Sequence, residues 1–228
     1  MRLLTWNCCR GRLSVKGPPA QALAPDLAVL QECARPQAEE AGWLWFGDNP
    51  RQGIGVWAAP GYRIRPLPPR PGVPRDTIPL KVTRPRRFLL FAVWAQKDPG
   101  HPYVRALIRA VEIYRDLIES HPTVILGDFN SNAQRNRARE DARDHAYLVR
   151  LLAELGLVSA YHRFYGEEQG AERRPTLYLL WSETRPYHVD YCFIPKAWSK
   201  RLTEVHVGSY VDWRHLSDHR PLVVDILK

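Results

Sequence analysis

The chain is a series of short apolar runs separated by segments rich in Gly, Pro, Asn or Asp, a pattern typical of a strand-rich fold. About ten such runs predict strands. The predicted strands cover residues 2–6, 27–31, 42–47, 53–59, 62–67, 88–94, 123–126, 176–181, 187–195, 202–210 and 222–227. The segment 66–74 holds five prolines, which lack a backbone N–H, so we expect an exposed loop or edge there.

Two stretches have a helical period instead. Between residues 104 and 118, apolar residues recur at the i, i+3, i+4 and i+7 spacing of one helix face. A second helix is predicted over 141–157, closed by Gly156, and 11–24 is expected to be a loop with a short helix. These elements fit neither a regular βαβ repeat nor an all-β sandwich. We therefore expect one α/β domain over 1–228, with two packed sheets and helices outside.

The composition excludes several classes of protein. Hydrophobic residues make up 45% and charged residues 25% of the 228 residues, as in soluble globular proteins. No apolar run approaches the roughly 20 residues of a membrane helix, and the N-terminal pattern is not that of a signal peptide. A cytoplasmic protein without a membrane partner is expected. The four cysteines form no C-x-x-C pair, which predicts reduced thiols rather than a zinc site.

Polar side chains lie at the ends of several predicted strands. Asn7 ends the first strand, Glu32 follows the second, and Asp128 and Asn130 follow the strand over 123–126. Each could be an ordinary turn or terminal residue, and the last two suit an Asx-turn. Taken together, these carboxylate and amide groups suit a hard cation such as Mg²⁺.

Two further motifs carry a carboxylate and a histidine. Asp190 is flanked by apolar residues, so it is expected to be buried, and a buried charge needs a partner. Asp218 and His219 stand side by side before the last strand, where they could be either a turn or part of a site. A buried Asp bonded to a His would favour the imidazolium form, which can hold a phosphate oxygen.

The motifs TWN, LQE, GDFN, HVDY and SDHRP occur in this order between residues 5 and 221 and resemble those of the endonuclease/exonuclease/phosphatase family. That family includes exonuclease III, the abasic-site endonucleases, DNase I, sphingomyelinases and inositol polyphosphate 5-phosphatases. The resemblance implies a DNase I-like, four-layer α/β sandwich of two packed, mostly antiparallel β-sheets flanked by helices. It also implies a phosphoester hydrolase that depends on Mg²⁺ or Mn²⁺.

The resemblance further implies a role for each motif residue. Glu32 is similar to the principal metal ligand of the family, with Asn7 beside it in the catalytic metal site and Asp218 as a further metal-site carboxylate. Asp128 is similar to the residue that orients and deprotonates the attacking water. Asn130 is similar to a residue that hydrogen-bonds to a phosphate oxygen.

The last implied pair is Asp190 with His219, where His219 would bind the phosphoryl group and stabilise its developing charge. Positioning and electrostatic stabilisation are most of what phosphoryl transfer needs. The chain departs from the abasic-site enzymes at Cys9, where those enzymes carry an Asp. We therefore expect one metal ion rather than two.

A second departure lies at Trp94, where the nucleases of the family usually have a Tyr and the sphingomyelinases a His. Tryptophan offers one N–H donor and no charge. Phosphate contact is therefore expected to pass to Tyr103 or Arg105 at the start of the following helix. The alternative, that Trp94 is a core residue and Tyr103 only begins a helix, remains open.

Several features favour nucleic acid as the substrate. The formal net charge is +9, which favours polyanions. The segment after GDFN carries Arg135, Arg137 and Arg139, where a phosphate backbone could pass. Trp181 and Trp213 could stack on bases, although packing would explain them equally well.

We therefore expect a monomeric Mg²⁺-dependent phosphodiesterase acting on DNA, with RNA as a further possibility. Two alternatives stay open on the sequence. One is a phosphatase or phosphodiesterase for a small phosphorylated metabolite or inositol phosphate. The other is a catalytically silent, nucleic-acid-binding member of the family.

Overall fold

The computed structural model describes residues 1–36, 42–98, 101–134 and 144–227. Its strands are β1 (Arg2–Asn7), β2 (Leu27–Cys33), β3 (Trp43–Asn49), β4 (Gln52–Ala58), β5 (Arg63–Pro66), β6 (Thr77–Arg84), β7 (Phe88–Trp94), β8 (Lys97–Asp98), β9 (His101–Pro102), β10 (Thr123–Asp128), β11 (Leu157–Ser159), β12 (Leu177–Tyr178), β13 (Pro186–Tyr187), β14 (Asp190–Pro195), β15 (Leu202–Val207) and β16 (Leu222–Ile226). Its helices are α1 (Leu13–Ala22), α2 (Val104–Ile113), α3 (Arg115–Ser120), α4 (His145–Glu154), α5 (Ala160–Tyr165) and α6 (Tyr210–Trp213). Two 3₁₀ turns span Leu179–Trp181 and Lys196–Arg201.

Twelve of these strands form two six-stranded sheets. The first sheet has the order β15-β16-β1-β2-β4-β3, and the second has the order β11-β14-β10-β7-β6-β5. Within the described residues, neighbouring strands are antiparallel except for the parallel pairs β1–β2 and β7–β10. The predicted mostly antiparallel, two-sheet architecture is therefore confirmed.

Strand β7 is apolar along its whole length because both of its faces are covered. Phe88 and Leu90 pack into the core between the two sheets, whereas Leu89 and Phe91 pack into the core beneath α2 and α4. On the far side of the first sheet, residues of β1 share a third core with Leu13 of α1. The layers are therefore helix, sheet, sheet and helix.

The structure differs from several predicted elements. The helix predicted over 104–118 is two helices, α2 and α3, which meet at Tyr114, where ψ is 12° rather than a helical value. The strand predicted over 176–181 stops after β12 and turns into the 3₁₀ segment, because Leu180 and Trp181 have left-handed φ values. Strand β6 was missed because Pro79 interrupts its apolar pattern.

The structure shows the state of the cysteines and the character of the helices. All four cysteines are free thiols, as predicted, and Cys8, Cys33 and Cys192 are buried. In the described part of the chain, no helix combines the length and the apolar character needed to cross a membrane.

Gly127 is required by the close approach of β10 to β7. Its φ is +155°, and a Cβ atom built at this position would lie 2.0 Å from the backbone oxygen of Val93. Because that neighbour is backbone in the centre of a sheet, it has little room to move. The residue that follows Gly127 is Asp128, so the same close approach also fixes a predicted site residue.

We expect Gly127→Ala to lower the free energy of unfolding by at least about 2 kcal/mol, because it adds a steric clash to a strained φ. Gly156→Ala is the matched control, since Gly156 has a left-handed φ of +75° but open space around it. That change should cost about 1 kcal/mol. Urea unfolding of both variants checks the difference, and equal losses would contradict the steric explanation.

Candidate active site

Strand direction brings the polar strand ends to one edge of the sandwich. β1 and β2 are parallel, so their carboxyl ends, with Asn7 and Glu32, lie side by side. In the second sheet, Asp128 at the end of β10 is the direct cross-strand partner of Asp190 at the start of β14. The two sheets therefore present their polar ends at the same edge.

An irregularity in β2 changes the direction of the Glu32 side chain. The register between β2 and β4 shifts between Leu30 and Cys33, and Glu32 has a left-handed φ of 60°. A bulge of this kind turns a side chain away from strict strand alternation. Asn7 Nδ2 donates to Glu32 Oε1 at 3.1 Å, and Gln52 Nε2 donates to Glu32 Oε2 at 3.1 Å. Both carboxylate oxygens are thereby held in place.

The buried Asn7 amide joins the two sheets. Besides Glu32, its Nδ2 donates to Asp128 Oδ2 at 3.0 Å. Its Oδ1 accepts a hydrogen bond from the backbone N–H of Cys9 at 2.9 Å, which fixes the orientation of the amide. One side chain therefore sets the spacing between a carboxylate of the first sheet and a carboxylate of the second.

The GDFN turn is held by Asp128 itself. The backbone N–H of Asn130 donates to Asp128 Oδ1 at 2.8 Å, which forms the Asx-turn considered above. Asn130 Nδ2 donates to Asp128 Oδ2 at 3.0 Å and to the carbonyl oxygen of Ala95 at 2.9 Å. Asn130 adopts a left-handed φ of 49°, so the turn interpretation is confirmed for these residues, whereas their roles in a site stay a prediction.

Asp190 and His219 form the predicted buried pair. His219 Nδ1 and Asp190 Oδ2 are 2.9 Å apart, and both side chains are buried. Thr176 Oγ1 accepts hydrogen bonds from the backbone N–H groups of Val189 and Asp190, both at 3.0 Å, which fixes the start of β14. The other carboxylate oxygen of Asp190, Oδ1, is buried without a hydrogen-bond partner among the described residues.

Burial and the neighbouring charge of Asp190 raise the pKa of Asp128 to about 7. Burial alone would lower the pKa of His219, but attraction to Asp190 and their hydrogen bond outweigh it and raise that pKa to about 10. At neutral pH, His219 is therefore an imidazolium. Asp128 exchanges its proton near neutral pH, which is what a general base requires.

The side-by-side position of Asp218 and His219 is explained by the loop that precedes β16. Ser217 Oγ donates to the Asn7 carbonyl oxygen at 2.7 Å and accepts from the His219 N–H at 2.9 Å. The Trp6 indole N–H donates to the His219 carbonyl oxygen at 3.2 Å. Because this backbone is a loop, the two adjacent side chains need not point to opposite faces.

The Asp218 carboxylate lies beside the Cys9 thiol. Burial and the nearby Asp218 raise the pKa of the Cys9 thiol to about 12, so the thiol stays protonated. The backbone oxygen of Asp218 accepts the N–H of Tyr178 at 2.8 Å, which ties the loop to β12. Its role as a metal-site carboxylate stays a prediction.

Arg220, fully buried, braces the same loop. Its NH1 group donates to the carbonyl oxygens of Ser217 at 2.7 Å and His219 at 2.8 Å. The guanidinium lies 5.0 Å from the ring centroids of both Tyr178 and Tyr210. Nε and NH2 have no hydrogen-bond partner among the described residues, so the aromatic faces are the main surroundings of those two groups.

The donor groups at this edge suit a hard divalent cation. Ligand atoms of Asp128, Asp190 and His219 lie within 4.8 Å of one another, and the orphaned Asp190 oxygen is free to bind. An ion at these three residues would have to displace the proton of His219. Glu32, next to Asn7, offers carboxylate oxygens without that competition, so it is the better candidate for the principal ligand.

The predicted phosphate contacts near β7 separate into two groups. Trp94 is 7% exposed and packs into the core between the sheets, which supports the core interpretation. Tyr103, which is 42% exposed, and Arg105 are at the surface where α2 begins. Their contact with substrate stays a prediction.

The residues predicted to contact nucleic acid also differ in their surroundings. Trp213 packs edge-on against Trp6, with ring centroids 5.0 Å apart, so packing explains it. Trp181 is 47% exposed and is available at the surface. The remaining predicted contacts lie outside the described residues; these are Arg135, Arg137 and Arg139.

Sequence reasoning missed the residues that hold the site in place: Gln52, Thr176, Ser217 and Arg220. Ser217 and Arg220 lie within the SDHRP motif, so their neighbourhood was visible in the sequence. Gln52 and Thr176 act from other strands or loops, and no local pattern marks them. Each positions a predicted site residue through a hydrogen bond to a side chain or to the backbone.

Together, the helix–sheet–sheet–helix sandwich and the polar groups at its edge define a DNase I-like phosphoester hydrolase. The sequence model of the Endonuclease/Exonuclease/phosphatase family matches residues 4–219, and the chain belongs to this family. The predicted family and fold are therefore confirmed. A search among curated proteins finds no match.

Solved structures of similar fold cover nearly the whole chain. A 3'-5' exonuclease (NExo) from Neisseria meningitidis is 20% identical, with a TM-score of 0.70 and 100% of each chain covered. An AP endonuclease from Archaeoglobus fulgidus is 17% identical, with a TM-score of 0.72 and 99% of each chain covered. A 3' phosphatase NExo from Neisseria, bound to a product DNA hairpin, is 21% identical, with a TM-score of 0.67 and 99% of each chain covered. At these identities the likeness establishes the fold.

The raised pKa of His219 predicts a pH-dependent contribution to stability. The contribution is fully present below the unfolded pKa near 6.5 and is lost as the pH rises through the folded pKa of about 10. The difference in the free energy of unfolding between wild type and His219→Gln should therefore be a few kcal/mol at about pH 6 and shrink toward about pH 10.

Urea unfolding in metal-free buffer measures this difference. His206→Gln is the matched control because His206 is exposed on β15, and it should show no such trend. A difference between wild type and His219→Gln that is constant from pH 6 to pH 10 would show that the Asp190–His219 pair is not charged as described.

Proposed function

We propose that the chain is a divalent-metal-dependent phosphodiesterase that cleaves nucleic acid, DNA in preference to RNA. The observation that carries the proposal is the Asn7 amide, which hydrogen-bonds to Glu32 at 3.1 Å and to Asp128 at 3.0 Å. The same amide group thereby holds a candidate metal ligand and a candidate base on either side of it. The imidazolium of His219 lies close to the same base.

Each group has a task in this proposal. Asp128, with a pKa of about 7, orients the attacking water and takes its proton. Asn130 holds a phosphate oxygen through its amide, which exchanges its hydrogen bond to Asp128 or to the Ala95 carbonyl for one to the substrate. His219 stabilises the charge that develops on the phosphoryl group. Asp190 keeps His219 protonated and correctly turned.

Glu32, with Asn7 and Asp218 at its side, is proposed to hold one Mg²⁺ or Mn²⁺ ion. A bound ion would supply Lewis-acid stabilisation of the phosphoryl oxygens. The protein's own part is to fix the ligand, and Gln52 does so from β4 by its hydrogen bond to Glu32. Such outer partners keep a ligand in its binding orientation.

Charge and family support nucleic acid as the substrate. The net charge of +9 attracts phosphate backbones, and Trp181 offers an exposed ring for a base. Two proteins of the same fold are named as an exonuclease and an AP endonuclease. We further propose that the whole chain acts as one catalytic domain, as a cytoplasmic monomer, which size-exclusion chromatography and localisation of a tagged protein would test.

We expect Asp128→Asn to lower the rate of DNA cleavage by about 10³-fold, because the variant cannot accept the proton of the attacking water. The assay uses labelled single-stranded, duplex, nicked and abasic DNA, RNA and a panel of phosphomonoesters, with Mg²⁺ or Mn²⁺. Asp116→Asn is the matched control, since Asp116 is an exposed carboxylate on α3.

Near wild-type cleavage by Asp128→Asn would remove Asp128 from the reaction. Release of phosphate from a small phosphomonoester, without cleavage of any nucleic acid by the wild type, would replace the proposed substrate with a small molecule. Both results leave the family assignment intact, because that assignment rests on sequence.

We expect Glu32→Gln to weaken binding of Mn²⁺ by at least about tenfold, because the variant loses the charge of the principal ligand. Calorimetric titration of Mn²⁺ without substrate measures this directly. Glu204→Gln, on the exposed face of β15, is the control and should bind Mn²⁺ as the wild type does. Unchanged affinity in Glu32→Gln would place the ion at other residues.

A further inference from the structure

The net charge of the chain is concentrated in one segment. Residues 49–97 contain ten Lys and Arg against a single acid, Asp76, which gives a formal charge of +9. That value equals the formal net charge of the whole chain, so the remaining residues are neutral overall. The segment contains β4 to β7 and therefore includes the edge strand β5 of the second sheet.

Five of these cations cluster on the outside of that edge. Side chains alternate between the faces of a strand, and Leu89 of β7 faces the helices. Lys81 is the register partner of both Leu89 and Arg65, so these positions share the outer face. The cluster, called here the basic plate, consists of Arg65 and Lys81 on this face together with the exposed residues Arg63, Arg84 and Arg87, which lie at the adjoining ends of β5, β6 and β7.

The plate is unfavourable for folding. Arg65 lies directly opposite Lys81, and Arg63 lies directly opposite Arg84, on neighbouring antiparallel strands. Like charges in such positions repel each other. The described residues place no carboxylate within 4.0 Å of any plate cation, whereas Arg70 and Arg75 of the same segment are paired in this way.

We propose that the basic plate is a second contact surface for nucleic acid, which binds the phosphate backbone away from the cleaved bond. This inference rests on the proposed function, since it assigns the plate to the same substrate. Lysine and arginine on a strand surface bind phosphates without reading sequence. Repulsion within the plate is relieved when phosphates lie across it.

A membrane surface fits the plate less well. Proteins that lie on anionic membranes combine cations with exposed apolar side chains that enter the lipid. The exposed large hydrophobic residues of the described chain are Val15, Tyr103, Phe164, Leu180, Trp181, Val211 and Leu227. None of them belongs to β5, β6 or β7.

The plate lies far from the catalytic edge. Arg87 precedes β7, whereas the catalytic edge is at the other end of that strand, beyond Trp94. Lys81 pairs with Leu89, five residues before Trp94, and Arg87 lies seven residues before it, so at about 3.3 Å per residue the plate lies roughly 16 to 23 Å from that edge along the strand. Since duplex DNA rises about 3.4 Å per base pair, a substrate must extend about five base pairs or more to reach both surfaces.

The test compares the wild type with Arg65→Glu/Lys81→Glu on a duplex of about 40 base pairs and on a short duplex, a hairpin with a stem of about 4 base pairs, which cannot reach both surfaces. Binding of the long duplex should weaken by at least about tenfold at low salt, and the slope of log affinity against log salt should fall by about 2. The ratio of cleavage rates on long and short duplexes should fall with it. Arg163→Glu, an exposed residue of α5, is the matched control and should keep the wild-type ratio.

The single variant Arg65→Glu separates binding from folding. It places a carboxylate opposite Lys81, so its melting temperature should equal or exceed that of the wild type while its affinity for the long duplex falls. Wild-type affinity and salt slope in the double variant would overturn the proposal. So would a stronger loss of binding to vesicles containing phosphatidylserine than to the long duplex, which would assign the plate to a membrane.

Cleavage of the short duplex by the wild type tests the proposed function separately. If the wild type cleaves the short duplex and the double variant keeps the wild-type ratio of rates, the basic plate is not a contact surface but the proposed nuclease activity is supported. If the wild type cleaves no nucleic acid but the double variant loses affinity for the long duplex, the proposed nuclease activity is wrong but the contact surface is supported.

Discussion

The hydrogen bonds of the Asn7 amide are the constraint on which the site depends. Each sheet alone presents one carboxylate near this edge, and neither sheet alone brings Glu32 and Asp128 together. The amide donates to both carboxylates, while its oxygen accepts a hydrogen bond from the backbone N–H of Cys9. The distance between the two sheets must therefore be fixed closely enough for both hydrogen bonds of the amide to form. The fully buried cores on both sides of β7 provide this close packing.

The second constraint is the balance of buried charge. Asp128 and Asp190 are direct cross-strand partners, and two carboxylates so close together cannot both be charged without a cation. His219 supplies that charge, and Arg220 and Ser217 hold the loop that carries it. The same balance shifts the pKa values in the directions that phosphoryl transfer needs, so the electrostatics of the fold and of the proposed chemistry have one origin.

Much of this arrangement could be predicted from the sequence, because apolar runs mark strands and the GDFN and SDH motifs mark where their ends meet. The bulge at Glu32 could not, since it arises from pairing between β2 and β4 rather than from a local pattern. Strand β6 was hidden by Pro79, which an edge-side strand tolerates but which usually argues against a strand. Gln52 and Thr176 were invisible for a different reason: each acts on a residue that is distant in sequence.

The pairing of β1 with β16 has a consequence for how activity arises. Arg2 and Asp225 are hydrogen-bonded neighbours although 223 positions separate them in the chain. Contacts of such long separation carry a large entropic cost of chain closure and form slowly. Because His219 lies just before β16, its position beside Asp190 depends on the pairing of β16 with β1. The candidate site is therefore completed by a long-range pairing, a kind of contact that forms slowly during folding.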